Sequence, residues 1–193
     1  MNLNPHKSSG PDNISTKLIQ DSISEIIEPL IHIYNLSLST GIVPEKLKMA
    51  KVIPIFKKGD ESVISNYRPI SLLSVFDKML EKVMYTRLES YFNKHNILYD
   101  YQFGFRNKYS TNLALIDLLD KLYSDLDNKN FVIGIYCDLQ KAFDSCNHEI
   151  LLYKLNYYGI RGITLNWFKS YLNNRTQYVS IDNIKSTLGR VTC

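Results

Sequence analysis

Residues 131–148, FVIGIYCDLQKAFDSCNH, decide how the rest of the chain is interpreted. Residues 131–137 form an apolar, β-branched run that predicts a buried strand, and the run ends at Asp138. A carboxylate at the end of a buried strand is costly unless it is paired or bound to a metal ion. Phe143 follows in a turn, and a helix is predicted to begin near His148. The segment therefore predicts a strand, a turn and a helix arranged around a functional acid.

The composition is that of an ordinary globular protein. The 193 residues include 45% hydrophobic and 22% charged residues, which argues against a disordered or fibrous chain. No apolar run approaches the ~20 residues that cross a membrane, and the N-terminus lacks a signal-peptide core, so no membrane partner is expected. Three cysteines form neither a disulfide framework nor a zinc pattern, which favours an intracellular setting. The net charge of +4 permits binding to a polyanion without requiring it.

The spacing of apolar residues and turn signals predicts a mixed α+β fold. Residues 15–40 have helical spacing, with Pro29 marking a kink or a break into two helices and Gly41 marking the end. Residues 51–56 predict a strand, and Pro54 within it favours an edge position. The other predicted elements are a turn at 57–60, a returning strand at 67–70, helices at 73–93, 110–126, 148–158 and 164–172, and a β-hairpin at 177–181 and 187–192.

Asp138 is the central catalytic candidate. Phosphoryl transfer requires divalent ions that bridge the attacking and leaving oxygens, and such ions take hard oxygen ligands. Asp138 would hold the ion, and the main-chain carbonyl of Leu139 would add a ligand. The alternative is an acid that only caps the following turn. Phe143 would lie against the sugar of an incoming nucleotide and clash with a 2′-hydroxyl, unless it is an ordinary core phenylalanine.

Two further segments predict contacts with phosphates and nucleic acid. Lys57, Lys58 and Arg68 belong to the predicted hairpin, where they would neutralise a triphosphate; the alternative is a solvated turn. The segment QFGFR at 102–106 sets aromatics beside arginine, which suits a stacked nucleic-acid strand, although its phenylalanines equally suit a core. The template-binding candidates are Gln102, Phe103, Gly104, Phe105, Arg106 and Ser110.

Five blocks of the chain, taken in order, resemble the amino-terminal part of a reverse transcriptase from non-LTR (LINE-like, jockey-type) retrotransposons. The blocks are GPDNI at 10–14, VIPIFKKGD at 52–60 with NYRPISLL at 66–73, QFGFR at 102–106, YCDLQKAFD at 136–144 and RTQYVSI at 175–181. Each block alone is modest, but their number and order are specific. A group II intron maturase is an alternative class, and the wording of the second block favours the LINE-like group.

The resemblance implies a right-hand polymerase, in which fingers grip the nucleotide and template and a palm holds two Mg²⁺ or Mn²⁺ ions on three aspartates. Residues 1–130 would form the fingers with the first palm helix, and residues 131–193 a partial palm with a return to the fingers. By position, Asp138 is the first of the three aspartates and Phe143 is the sugar gate. The implied partners are an RNA template, a DNA primer and deoxynucleotide triphosphates, in the nucleus and cytoplasm.

The family's GxPQGS element and YxDD box have no counterpart in the sequence. The chain is therefore expected to be truncated before the second palm motif, with the carboxyl-terminal palm and thumb missing. One carboxylate cannot build the two-metal site that in-line displacement requires. The expected function is RNA-directed DNA polymerisation by the complete protein and no activity of this chain alone. The alternatives are a non-catalytic nucleic-acid-binding module and a decayed gene remnant.

Overall fold

The structure, a computed structural model, describes residues 4–5, 8–139, 142–182 and 184–191. The chain divides into a larger compact unit, Met1–Tyr85 with Asp144–Cys193, and a smaller one, Thr86–Phe143. The helices are α1 (Thr16–Thr40), α2 (Val75–Lys94), α3 (Thr111–Asp127), α4 (His148–Tyr157) and α5 (Gly162–Leu172), and the strands are β1 (Met49–Phe56), β2 (Tyr67–Leu72), β3 (Thr176–Ile181), β4 (Ile184–Lys185) and β5 (Gly189–Arg190). This mixture confirms the predicted α+β class. No described helix combines the length and apolar character that spanning a bilayer requires.

The first helix, α1, begins and ends as its sequence predicts. The side chain of Ser15 accepts a hydrogen bond from the backbone N–H of Leu18 at 3.2 Å, and the helix ends at Gly41, whose φ of 72° is left-handed. The helix is continuous through Pro29, so the predicted alternative of two separate helices is wrong. Buried residues on both sides of the proline hold the helix against the core, which offsets the hydrogen bond that proline cannot make.

The core of the larger unit lies between α1, α2 and α5. Its buried apolar side chains are Ile19, Leu30, Tyr34, Val43, Val75, Met79, Leu80, Met84 and Trp167. The indole Nε1 of Trp167 donates to Ser37 Oγ at 3.0 Å, and that hydroxyl donates to the carbonyl of Ile42 at 2.7 Å. Because these buried polar groups find partners, the large indole is accommodated at little desolvation cost.

Strand β1 lies between two neighbours in a sheet whose order is β2-β1-β3-β4, with β5 also paired to β3. It is antiparallel to β2 and parallel to β3, so the predicted edge position is wrong for the strand as a whole. Pro54 faces Pro69 across the antiparallel pair, and the pairing with β3 ends at Val52. Two facing prolines fit only a pair that exchanges no hydrogen bonds, so the nitrogen of Pro54 points away from β2. Proline has no N–H to donate on that side, and the pairing of β1 with β3 ends two residues earlier, at Val52.

The predicted strand at residues 131–137 is wrong. Residues 131–139 have no strand conformation; Phe131 is fully exposed, and Ile133 and Ile135 are 86% and 84% exposed. A strand needs the backbone N–H and C=O groups of a neighbour, and within the described ranges no strand pairs with these residues. A β-branched composition by itself therefore does not produce a strand.

Helix α3 begins at a serine cap, but most of its leucine side chains are exposed. The hydroxyl of Ser110 accepts a hydrogen bond from the backbone N–H of Leu113 at 3.2 Å. Leu115 and Leu126 are 54% and 56% exposed, and none of the residues of this helix is buried. The smaller unit therefore has exposed apolar surface both on α3 and in residues 131–139.

Two predicted boundaries near the end of the chain differ from the structure. Helix α5 begins at Gly162 rather than at residue 164. In place of one return strand at 187–192, the two short strands β4 and β5 pair with β3, and residue 192 lies outside the described residues. The backbone and the side chain of Ser186 both bond to the backbone of Val179 at 2.9 Å, which interrupts the regular ladder.

A buried carboxylate, Asp77, joins α2 to the residue that precedes β3. Its side chain is fully buried, and Oδ2 accepts a hydrogen bond from Nη2 of Arg175 at 3.4 Å. The other oxygen, Oδ1, has no hydrogen-bond partner among the described residues. Burial and the negative charge of Glu81 raise the pKa of Asp77 from 3.8 to about 7, although Arg175 acts in the opposite direction. Between these two values the folded chain binds more protons than the unfolded chain.

We expect the free energy of unfolding to fall as the pH rises from about 4 to about 7, by up to about 1.4 kcal/mol per pH unit, because Asp77 ionises less readily when folded. Asp77→Asn removes the titrating group and should flatten this part of the profile. Asp21→Asn, at an exposed position of α1, should leave it unchanged. Urea unfolding at a series of pH values measures the slope, and equal slopes in the wild-type and Asp77→Asn chains would contradict the expectation.

Candidate nucleotide and template site

The predicted site residues are divided between the two units. The larger unit carries the phosphate candidates Lys57, Lys58 and Arg68. The smaller unit carries the remaining candidates: Asp138, Leu139, Phe143, Gln102, Phe103, Gly104, Phe105, Arg106 and Ser110. All of them are exposed except Phe103 and Arg106, which are half-buried. Exposure at these positions suits contact with a ligand better than packing in a core.

The β1–β2 hairpin presents two cations on one face of the sheet. Arg68 lies opposite Ile55 in the antiparallel register. The backbone N–H of Lys57 donates to the carbonyl of Asn66 at 2.9 Å, so the pairing continues one step past β1. Because side chains alternate along a strand, Lys57 shares the face of Ile55 and is the diagonal neighbour of Arg68, at a typical separation of about 7–8 Å. Two cations at that spacing suit a polyphosphate.

The turn that follows Lys58 is shaped by its glycine and its aspartate. Gly59 has a φ of 99°, and a Cβ there would approach Nδ2 of Asn66 to 2.7 Å. The carboxylate of Asp60 accepts from the backbone N–H of Ser62 at 2.9 Å and from its hydroxyl at 2.8 Å, which lowers the pKa of Asp60. Glycine and aspartate thus build the turn, whereas the two lysines before them are exposed to solvent.

Several of the predicted template residues stabilise their own loop. The guanidinium of Arg106 donates to the carbonyl of Tyr99 at 2.9 Å and lies over the ring of Tyr109, 4.0 Å from its centroid. The ring of Phe103 makes an edge contact with Tyr109, with centroids 5.8 Å apart. The side-chain amide of Gln102 donates to the backbone carbonyl of Gly104 at 3.2 Å. Arg106 and Phe103 therefore give residues 99–109 a fixed shape.

Phe105 is the predicted template residue that projects from this loop. Its side chain is 86% exposed, and its φ of 60° is left-handed, which is uncommon for a bulky residue. Its ring lies edge-to-face with the ring of Phe143, with centroids 6.1 Å apart and planes at 85°. The structure therefore brings together a predicted template residue and the predicted sugar gate.

Asp138 and Leu139 lie at the end of the irregular segment 131–139, and both are exposed. Over the part of the chain that the structure describes, no group of three His, Cys, Asp or Glu side chains is placed to hold a metal ion. A carboxylate and a backbone carbonyl are hard oxygen donors, which fit one Mg²⁺ that keeps water and phosphate ligands. These two donors do not by themselves fit a pair of ions.

The GPDNI block, residues 10–14, has a structural role that was not predicted from the sequence. Oδ2 of Asp12 accepts a hydrogen bond from the hydroxyl of Ser74 at 2.5 Å, while Oδ1 accepts from the backbone N–H of Ile14 at 3.1 Å. A Cβ at Gly10 would lie 2.5 Å from the backbone of Leu73. The block therefore packs on the junction between β2 and α2. A Gly-Pro-Asp turn is visible in the sequence, but the surface that it contacts is not.

Comparison with known proteins identifies the class. The family model described as reverse transcriptase (RNA-dependent DNA polymerase) matches residues 55–192, so the chain belongs to the reverse transcriptase family. It is 34% identical, over 92% of its length, to the protein described as probable RNA-directed DNA polymerase from transposon BS of Drosophila melanogaster. It is 31% identical, over 94% of its length, to that from the mobile element jockey of the same species. The chain spans 20% of each of these two proteins.

We expect Gly10→Ala to destabilise the chain by about 1–3 kcal/mol, because the added methyl group meets backbone atoms that cannot turn aside. Gly104→Ala is the matched control: no atom lies within 4 Å of a Cβ built there, so the change should be within about 0.5 kcal/mol. Urea unfolding of the two variants measures the difference. Equal stabilities would show that residues 10–14 do not pack on the β2–α2 junction.

Proposed function

We propose that this chain supplies the fingers and the first palm motif of an RNA-directed DNA polymerase from a jockey-like non-LTR retrotransposon. Its family and its relatives support the class of enzyme. The observation that carries the proposal is the β1–β2 hairpin, where Lys57 and Arg68 share one face. In the proposal, Arg68 contacts phosphate oxygens through its planar fork and Lys57 acts as a point charge, with Lys58 beside it.

The smaller unit contributes the chemistry at the sugar and the metal. Asp138 and the carbonyl of Leu139 would hold Mg²⁺ or Mn²⁺, and the ion would supply positive charge to neutralise phosphate oxygens. The ring of Phe143 lies against the nucleotide sugar and excludes a 2′-hydroxyl, so that deoxynucleotides are preferred. Exposure of all three residues supports these roles.

The proposed roles of the two parts of the chain follow the order of the sequence blocks. Residues 1–130 act as fingers with the first palm helix, and residues 131–193 act as a partial palm that returns to the fingers. The proposed partners are an RNA template, a DNA primer and deoxynucleotide triphosphates, in the nucleus and cytoplasm.

Lys57→Ala and Arg68→Ala should each weaken the binding of inorganic triphosphate by about tenfold, because each removes a charge-assisted contact. Lys17→Ala, at an exposed position of α1, is the matched control for the loss of one positive charge. Titration calorimetry at low ionic strength measures the affinities. If all three variants bind equally well, the shared face of the hairpin is not a phosphate site.

The purified chain should give no primer extension on an RNA template in Mg²⁺, because Asp138 alone cannot place two ions. A complete jockey-like polymerase, assayed in parallel, provides the positive control. Extension by the chain that Asp138→Ala abolishes would contradict this expectation and would show that the residues present suffice for catalysis.

A non-catalytic nucleic-acid-binding module is the second candidate, favoured by the exposed aromatic side chains of the loop 99–109. Tyr99, Tyr101 and Phe105 are 69%, 50% and 86% exposed, which suits stacking of single-stranded bases. Binding of single-stranded RNA that weakens with salt, is reduced by Tyr101→Ala and is unchanged by Asp138→Ala would support this candidate.

A further inference from the structure

Two exposed phenylalanines from distant parts of the smaller unit meet each other. Phe105 and Phe143 are 86% and 79% exposed, yet their rings adopt the edge-to-face geometry that aromatic pairs prefer. The centroid separation of 6.1 Å lies within the usual range for such pairs. This contact restricts the ring of Phe143, which is otherwise surrounded mostly by solvent.

The loop that carries Phe105 is braced to present its ring outward. Arg106 holds the loop through its hydrogen bond to the carbonyl of Tyr99 and its stacking on Tyr109. Phe105 itself has a left-handed backbone, with a φ of 60°, and its side chain is 86% exposed. Backbone strain at an exposed aromatic residue is kept only where surrounding contacts impose it, and it often accompanies function.

We propose that Phe105 is a positioning residue for Phe143 and thereby sets how strongly the site discriminates deoxynucleotides from ribonucleotides. The inference rests on the proposed function, in which Phe143 lies against the nucleotide sugar. An aromatic ring excludes a 2′-hydroxyl only when the ring is held in one orientation, because a ring that rotates freely moves away from the hydroxyl oxygen. In the described part of the smaller unit, the ring of Phe105 provides such a contact.

The test uses the full chain with 4-fluorophenylalanine at position 143. The fluorine resonance reports the ring of Phe105 through its ring current, and it also reports titration with dATP or ATP in Mg²⁺ buffer. Phe105→Leu removes the aromatic edge, whereas Phe105→Tyr retains it. Tyr123→Leu, on α3 and 64% exposed, is the control for loss of an exposed aromatic ring elsewhere in the unit. Because Phe105 is exposed, its substitution should leave the chain folded.

We expect Phe105→Leu to shift the fluorine resonance and to reduce the preference for dATP over ATP by about fivefold. Phe105→Tyr should keep the preference within about twofold of wild type, and Tyr123→Leu should change neither quantity. A resonance that does not move in Phe105→Leu, or a preference that persists in it, overturns the inference while leaving the proposed function intact. No response of the wild-type chain to either nucleotide overturns the proposed function and, with it, the role of Phe105.

Discussion

The parallel pairing of β1 with β3 is the constraint on which the larger unit depends, because it joins the first part of the chain to the last. At the start of this strand pairing, the backbone N–H of Thr176 donates to the carbonyl of Lys48 at 3.1 Å. The preceding helix, α5, is thereby held where Trp167 reaches Ser37 of α1. In the described sheet β2 pairs only with β1. The hairpin that carries Lys57 and Arg68 is therefore anchored to the core through the pairing of β1 with β3.

Features that depend on neighbouring residues were predictable from the sequence. Ser15 and Ser110 cap their helices because a hydroxyl accepts from a backbone N–H three residues ahead, and Gly41 ends α1 because glycine adopts positive φ freely. Features that depend on distant partners were not. Residues 131–137 carry the composition of a strand, but strand formation is decided by the neighbour, which a local pattern does not contain. The place of Pro54 in the sheet likewise depended on a distant partner, because β3 pairs with β1 only as far as Val52.

The candidate site shows the same limit. The sequence identified the QFGFR block as a unit, but its residues divide between two tasks. Arg106 donates a hydrogen bond to Tyr99, and the ring of Phe103 packs against that of Tyr109, so both side chains contact the loop itself. Phe105, between them, is left to face outward. The QFGFR block therefore contains both residues that stabilise the loop and a side chain that is exposed to solvent. Only the contacts in the structure distinguish these two roles.

Pro69 protects the outer edge of the sheet. Its nitrogen points away from β1, at the place where an approaching strand would need a hydrogen-bond donor. A second polypeptide therefore finds no continuous ladder along β2, and growth of the sheet from one molecule to the next is blocked at this edge. Residues 131–139 contain no proline and have no such block. Self-association of the chain should accordingly begin at the smaller unit, although the larger unit holds the sheet.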